Sequence, residues 1–370
     1  MIVIADDITG AAEIAGIAHS HGQQAHLVCA SPTTSRPAVS PVYCDSVAVT
    51  TTVIATDTRS MSEAEAVAET RRIASSISSL SAPLFKKTDS ALRGHVVAEL
   101  TALIDVMGYQ RAVYLPANPS KERIIRNGIY YIKGIPIADT AFNYDPEFPA
   151  HTSSLKERFP DAEAKGIIMP DAESMDDIRR IVGRYDDGRT LFAGAADLFS
   201  AILPKTQNLF SHTCKTCSSP ATLILCGSTQ SKPLNLGIPV APMPRQVYDG
   251  EQGADHWLAQ LTTSLPGQGG ASLILTIPHT HRTGKEVAVH LRTVMAEMAS
   301  RLVSLYRPDQ LIIEGGATAW ATLNALGWHD FQIERQVAPG VVQMSATNGT
   351  LVTLKPGSYP WGELFQSFSE

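Results

Sequence analysis

Ile2-Val-Ile-Ala-Asp-Asp-Ile-Thr-Gly-Ala11 starts with four apolar residues, passes through two carboxylates and runs at once into a helical pattern. A continuous apolar run, with no polar alternation, is the mark of a parallel strand covered on both faces. Ligands of open α/β sheets gather beyond the carboxyl ends of the strands, which is where Asp6 and Asp7 fall. Thr9 is placed to cap the following helix, and Gly10 to let a ligand approach the backbone closely. The free N–H groups of that first turn suit an anion such as a carboxylate. A plainer reading has Asp6 or Asp7 capping the helix.

The same strand-then-helix unit recurs outward from this stretch. A helix over residues 11–20 leads to an apolar run at 25–29, a Ser/Thr/Pro-rich loop through Pro41, and a Val/Thr-rich strand at 47–55 that ends in Thr56-Asp-Thr-Arg59. Ser62 opens a helix with Glu63, Glu65 and Glu69 early, as the helix dipole prefers. Leu84-Phe-Lys-Lys87 is a further strand, followed by Thr88-Asp-Ser-Ala-Leu-Arg-Gly94. Beyond it Leu92, Val96, Leu100, Leu103 and Met107 fall on one helical face. A strand at 112–115 ends in Pro116-Ala-Asn-Pro119. Residues 128–137 read as a hairpin turning at Lys133-Gly134. Strand and helix units then resume, with strands at 166–169 and 190–193 and helices at 174–185 and up to 203. Residues 204–220 lose apolar periodicity and read as a linker. A second α/β pattern follows: strands at 221–226, 272–277 and 310–314, a long helix at 285–305, and a helix from Gly315-Gly-Ala-Thr-Ala319 to 326. Antiparallel strands at 341–346 and 351–354 meet at Asn348-Gly349. Alternation of this kind predicts an α/β fold of two α/β domains, each with a largely parallel sheet flanked by helices and with a ligand cleft between them. The expected boundaries are 1–204, a linker over 205–220, and 221–370.

At 370 residues the chain exceeds the roughly 250–300 at which single cores stop growing. A net charge of -6 gives no reason to expect nucleic acid or an anionic membrane as partner. No signal peptide is expected, and no apolar run approaches the roughly 20 residues needed to span a bilayer. Five scattered cysteines fit a reducing cytoplasm better than a disulfide framework. Cys214 and Cys217 form one C-x-x-C pair that His212 alone does not complete as a zinc site, so they read as linker residues. Oligomeric state is not legible, though a homo-oligomer is compatible with the sequence.

Two clusters carry chemistry. In the first half, three strand ends bear Asp6/Asp7, Asp57/Arg59 and Lys87/Asp89/Ser90/Arg93, and Asn118 adds an amide from a fourth. Converging in one parallel sheet, they suit a small, polyhydroxylated, negatively charged ligand, because carboxylates accept from hydroxyls and Arg grips a carboxylate with two parallel bonds. Taken pair by pair, Arg59 and Arg93 read better as salt-bridge partners of these aspartates; the three strand ends taken together read better as a ligand site. In the second half Gly227-Ser228, Gly315-Gly316 and Gly357-Ser358 lie just beyond strands, where backbone N–H groups can meet phosphates. Thr318 and Ser228 add hydroxyls and Lys355 positive charge. There is no Walker A motif, no G-x-G-x-x-G, no H-E-x-x-H and no G-x-S-x-G. His279 and His281 read as ordinary histidines.

Ala5-Asp-Asp-Ile-Thr-Gly-Ala11, Lys86-Lys-Thr-Asp-Ser-Ala-Leu-Arg-Gly94 and Pro116-Ala-Asn-Pro119 resemble, in order, the hallmark motifs of the four-carbon acid sugar kinase family. Thr56-Asp-Thr-Arg59, Gly227-Ser228, Gly315-Gly-Ala-Thr-Ala319 and Lys355-Pro-Gly-Ser358 extend the resemblance over nearly the whole chain. It implies an ATP-dependent kinase acting on acids such as threonate, erythronate or 3-oxo-tetronate. The N-terminal domain would hold the acid and the C-terminal domain the nucleotide. Two positions depart from the family pattern: Ala317 replaces an acidic residue, and Gly357-Ser-Tyr-Pro-Trp361 replaces a Gly- and Phe-containing loop.

On that resemblance Arg93, Arg59 or Lys87 is expected to hold the substrate carboxylate, with Asp6 and Thr9 fixing hydroxyls. Gly10, Asp57, Ser90 and Asn118 complete the acid pocket. Asp7 is the expected base for the terminal hydroxyl and Asp89 its competitor. Gly227, Ser228, Gly315, Gly316, Thr318, Lys355, Gly357 and Ser358 are expected to seat ATP, with Mg²⁺ bridging its phosphates and metal ligands unassigned. Domain closure would exclude water. The alternative is a non-catalytic sugar-acid or nucleotide sensor, for which Ala317 is the argument. A third reading, an oxidoreductase, is weakened by the absent dinucleotide fingerprint.

Overall fold

Ile2–Ala5 forms the first strand, β1, and every residue of it is buried. In the computed structural model, residues 1–30, 50–145, 147–204, 220–228, 234–264, 272–278, 284–357, 359–361 and 364–365 are described. The chain divides into two compact units, Met1–Asn208 and Leu209–Glu370. The expected linker at 205–220 lies, apart from Pro220, outside the described residues, as do Cys214, Cys217, His212, His279, His281 and Ser358.

In the first unit β1 is followed by α1 (Ile8–Ser20), β2 (Gln24–Cys29), β3 (Thr50–Ala55), α2 (Glu63–Ile77), β4 (Leu84–Lys87), α3 (Val96–Met107) and β5 (Arg111–Leu115). Three short strands come next: β6 (Arg123–Arg126), β7 (Ile129–Ile132) and β8 (Ile135–Pro136). After α4 (Leu155–Arg158) come β9 (Ile167–Ile168), α5 (Met175–Tyr185), β10 (Thr190–Gly194) and α6 (Ala196–Ile202). The main sheet has the order β2-β3-β1-β4-β10-β5-β9 and is parallel throughout. Helices α1, α5 and α6 pack together, and α2 packs on α3. Ser62 starts α2 with a capping box to Glu65, which satisfies two otherwise orphaned N–H groups.

The parallel register matters for the site. Ala5 lies level with Ala55 on one side and with Lys87 on the other, so residues 6, 56 and 88 leave the sheet side by side. Strand β3 returns between β1 and β2, while β4 lies across β1, which makes β1 the point where the winding reverses. Ligands of such sheets sit at that point.

The hairpin expected at 128–137 is present as β7 and β8, but it belongs to a three-stranded antiparallel sheet with β6. Both of its turns, Asn127-Gly128 and Lys133-Gly134, have positive φ at both residues, as two-residue hairpin turns require.

The second unit contains β11 (Thr222–Cys226), β12 (Val240–Pro242), α7 (Arg245–Tyr248), α8 (Ala254–Ser264), β13 (Leu273–Thr276) and α9 (Lys285–Tyr306). It continues with β14 (Gln310–Glu314), α10 (Gly316–Leu326), β15 (Asp330–Ala338), β16 (Val341–Ala346) and β17 (Leu351–Lys355). Its order is β12-β13-β11-β14-β17-β16-β15, parallel from β12 to β17 and antiparallel beyond. The first four strands of each unit therefore follow one wiring, second-third-first-fourth. Cys226, Glu314 and Lys355 are level, so the glycine-bearing turns after them emerge together. Among the described residues no helix is long and apolar enough to cross a membrane.

Candidate active site

The flush ends of β3, β1 and β4 build a charge cluster around one guanidinium. Arg59, on the turn Thr58–Ser60 after β3, donates from Nε and Nη2 to the two carboxylate oxygens of Asp6 at 3.0 and 2.9 Å. Nη2 also reaches Asp7 Oδ1 at 3.0 Å, and Nη1 lies 3.8 Å from Asp89 Oδ1. Asp89 is held in turn by Arg93, through Nε at 2.8 Å and Nη2 at 3.0 Å, and by the backbone N–H of Ala91 at 3.0 Å. Arg93 also lies 3.7 Å from Asp145. The loop between them takes a constrained path. Leu92, 1% exposed, has φ +63°, and its carbonyl accepts from Arg158 Nε at 3.3 Å and Nη2 at 3.0 Å. Gly94 follows at φ +96°, its backbone close against Asp6.

These carboxyls are not equivalent. Burial pushes Asp6 above the ordinary carboxylate range, and Arg59 only partly opposes it. Burial acts the same way on Asp7, but Arg59, Lys87 and the Thr9 hydroxyl outweigh it and hold that carboxyl below the range. For Asp89 burial is again opposed, here by Arg93 and Arg59, which pull it well below. The Asp7 side chain is the most open of the three, at 17% against 2% for Asp6 and 11% for Asp89.

Several expectations about single residues are corrected here. Asp7, as the plainer reading had it, and not Thr9, is the N-cap of α1: its Oδ1 accepts from Gly10 N at 3.0 Å, while the Thr9 hydroxyl donates to its Oδ2 at 2.5 Å. Gly10 is needed for this cap, because a Cβ there would lie 2.5 Å from Asp7 Oδ1. Asp6 has both oxygens occupied by Arg59 and is 1% exposed, so it stands beneath the site as a counter-ion and not against hydroxyls. Lys87, 4% exposed, donates to the Thr88 carbonyl at 3.0 Å and lies 3.7 Å from Glu13, so it is not free for a carboxylate. Asp57 adopts φ +53° and accepts from Ser60 Oγ. Asn118 is buried, with Oδ1 receiving the N–H of Asp197 at 3.2 Å. Ser90 Oγ accepts from Arg123 Nη1 at 2.5 Å.

The sequence reading missed Glu13, Lys86 with Glu99, Arg123 and Asp197. Glu13 bridges Lys87 and Lys121. Lys86, wholly buried, donates to Glu99 Oε1 at 2.9 Å, where Thr70 Oγ1 also donates at 3.1 Å. The available signal was the period of two in β4, which sends adjacent lysines to opposite faces of the sheet.

In the second unit the backbone turns come too close for side chains. A Cβ on Gly227 would lie 2.1 Å from Thr318 Oγ1, and one on Gly357 would lie 2.4 Å from Ser228 Oγ. Gly315 has φ +97° and precedes α10, whose first residue is Gly316; Thr318, on the first turn, is 4% exposed. Lys355, expected to bring positive charge here, is held by partners of its own. It is 2% exposed, pairs with Glu314, donates to the carbonyls of Pro356 and Gly357 at 3.1 and 3.3 Å, and lies 4.6 Å from the centre of the Trp361 ring. Among the described residues no group of three His, Cys, Asp or Glu side chains is placed to hold a metal.

A family model for a sugar-binding N-terminal domain matches residues 1–161, and one for a nucleotide-binding C-terminal domain matches residues 237–359. The chain belongs to the four-carbon acid sugar kinase family. Membership places it among phosphotransferases that act on an alcohol group. A relative from Brucella melitensis, a 3-oxo-tetronate kinase, is 23% identical over 412 residues, covering 96% of this chain and 92% of that protein. A D-threonate kinase of Salmonella typhimurium is 32% identical over 160 residues, 42% of this chain and 35% of that protein. The fold of this family member is shared with a solved Haemophilus influenzae protein at a TM-score of 0.68 and 20% identity, covering 100% of this chain and 99% of that one. A solved Salmonella typhimurium protein matches at 0.76 and 18% identity, covering 100% and 98%.

Proposed function

We propose that the chain is an ATP-dependent kinase that phosphorylates the terminal hydroxyl of a four-carbon sugar acid of the threonate, erythronate or 3-oxo-tetronate type. The observation that carries this reading is Asp7, a partly open carboxylate at the winding reversal of a parallel sheet, in a family of sugar-acid kinases. Phosphoryl transfer depends on positioning and charge neutralisation more than on covalent chemistry. Asp7 is ionised at neutral pH and is the base that accepts the proton of the attacking hydroxyl. Arg59 holds Asp7 from one side, and the cap to Gly10 N fixes its rotation. Asp89, gripped on both oxygens by Arg93 and less exposed than Asp7, acts as a positioning residue.

The nucleotide reading rests on the close approaches at Gly227 and Gly357, where only backbone fits, with Ser228, Gly315, Gly316 and Thr318 around them. Phosphates suit such backbone surfaces. Mg²⁺ enters on this reading as the counter-ion of the nucleotide phosphates. Purified protein incubated with Mg²⁺-ATP and a panel of four-carbon sugar acids is expected to release ADP only when the right acid is present. ATP binding without turnover on any acid would favour the sensor reading.

A further inference from the structure

The carboxylate of the acid still lacks a cation. Each basic side chain expected to hold it is matched internally: Arg59 by Asp6, Asp7 and Asp89, Arg93 by Asp89 and Asp145, and Lys87 by Glu13 and a carbonyl. Lys121 is taken by Glu13. Arg158 donates to three backbone carbonyls, those of Leu92, Phe148 and Pro149.

Arg123 differs. Among the described residues no carboxylate lies within ion-pair distance of it, and its side chain makes one hydrogen bond, from Nη1 to Ser90 Oγ. Among the described residues Nε and Nη2 have no hydrogen-bond partner. Its guanidinium stands 5.8 Å from the centre of the Phe142 ring, and that of Arg93 stands 5.9 Å from the same centre. The backbone beneath is rigid, with Arg123 and Asn118 exchanging both N–H···O bonds at 2.7 and 3.2 Å. A half-buried cation with no acid partner is unusual, since such charges are normally paired. A planar fork held against a ring is arranged to meet a carboxylate with two parallel bonds.

We propose that Arg123 is the residue that binds the substrate carboxylate and so makes the site select acids over neutral polyols. The inference rests on the sugar-acid reading. Arg123 touches Ser90, Ser90 adjoins Asp89, Asp89 faces Arg59, and Arg59 touches Asp7. The carboxylate anchor and the base are thereby linked by direct contacts within one unit. The segment from β6 to Asp145, outside the regular strand-and-helix alternation, supplies Arg123, Phe142 and Asp145 and is the acid-specific wall of the pocket.

The test is calorimetric titration, without nucleotide, of wild type and Arg123→Met with D-threonate, D-erythronate and the matching uncharged amides. Arg123→Met is expected to weaken the bound acid by about 30-fold or more, the range of a lost charge-assisted pair. It is expected to leave amide binding unchanged, so that the substitution and the loss of the acid's charge are non-additive. Arg123→Lys keeps the charge without the fork and is expected to fall between them. Unchanged acid affinity in Arg123→Met, or equal losses for acid and amide, would overturn the assignment alone. Failure of the wild type to bind any acid would overturn the sugar-acid reading and the assignment with it. Far-UV circular dichroism confirms that each variant is folded.

Discussion

Lys86→Met removes a cation from a place that water does not reach. Lys86 is wholly buried, its partner Glu99 is 1% exposed, and the 2.9 Å bond between them is supplemented among the described residues only by Thr70 Oγ1. Methionine matches the lysine stem and adapts to its channel, so packing is largely kept and the cost is that of a buried carboxylate without its counter-ion. Such losses run to about 3–5 kcal/mol. The retained Thr70 hydroxyl is worth about 1 kcal/mol and places the expectation at the lower end, about 3–4 kcal/mol. For a unit of this size that corresponds to a Tm lower by about 6–16 °C. Adding Glu99→Leu removes the stranded charge and is expected to bring the double variant back to within about 1.5 kcal/mol of wild type. Urea unfolding followed by far-UV circular dichroism measures all four corners of the double-mutant cycle. A single variant within about 1 kcal/mol of wild type, or a strictly additive double variant, would refute the idea that these two charges sustain one another inside the unit.

Asp7→Asn is expected to lower kcat by about 10²–10⁴-fold while leaving the affinity for ATP nearly unchanged; steady-state ADP release and calorimetry read the two quantities, and near-normal turnover would remove Asp7 from the role of base. The depressed Asp89 carboxyl contributes stability that is fully present above its unfolded pKa, near 4, and is lost as pH falls through its lower folded value. A Tm series from about pH 5 down to 2 should therefore slope less steeply in Asp89→Asn than in wild type. Gly227→Ala drives a methyl into Thr318 and is expected to cost about 1–3 kcal/mol and weaken ATP binding, with melting and titration as the readouts. Gly183→Ala, in the interior of α5 with open space around it, should instead stabilise by about 0.5–1 kcal/mol.

The strands that carry the sites were legible because they are buried along their whole length: β1 is an unbroken apolar run, and β4 and β14, each with an apolar stretch beside polar residues, have the expected bounds to the residue. The start of α2 was legible from Ser62 and Glu65, a local rule. That Arg59 and Arg93 pair with these aspartates was legible and holds, but which aspartate each one meets follows from sheet order. Arg59 meets Asp6 only because β3 returns beside β1, and nothing near either residue says so. The same dependence on order hid the pairing of Lys355 with Glu314, which the register sets side by side. Strand β15 escaped notice because shifts between Ile333 and Arg335 and between Gln336 and Ala338 break its alternation. Arg123 escaped because it begins a hairpin sheet, where a basic residue signals nothing beyond a solvated edge.

Leu92 acts as a spring in the loop that carries Asp89 and Arg93. A left-handed backbone at a residue bearing a Cβ costs about 1–2 kcal/mol, and here burial of the side chain and two hydrogen bonds from Arg158 oppose that cost. The grip comes from a helix 66 positions further along the chain. Residues 89–93, which carry Asp89, Ser90 and Arg93, are thus held by a side chain from a distant part of the chain. Substitutions at position 158 therefore act on the conformation of the loop that carries Asp89 and Arg93 from a distant part of the chain.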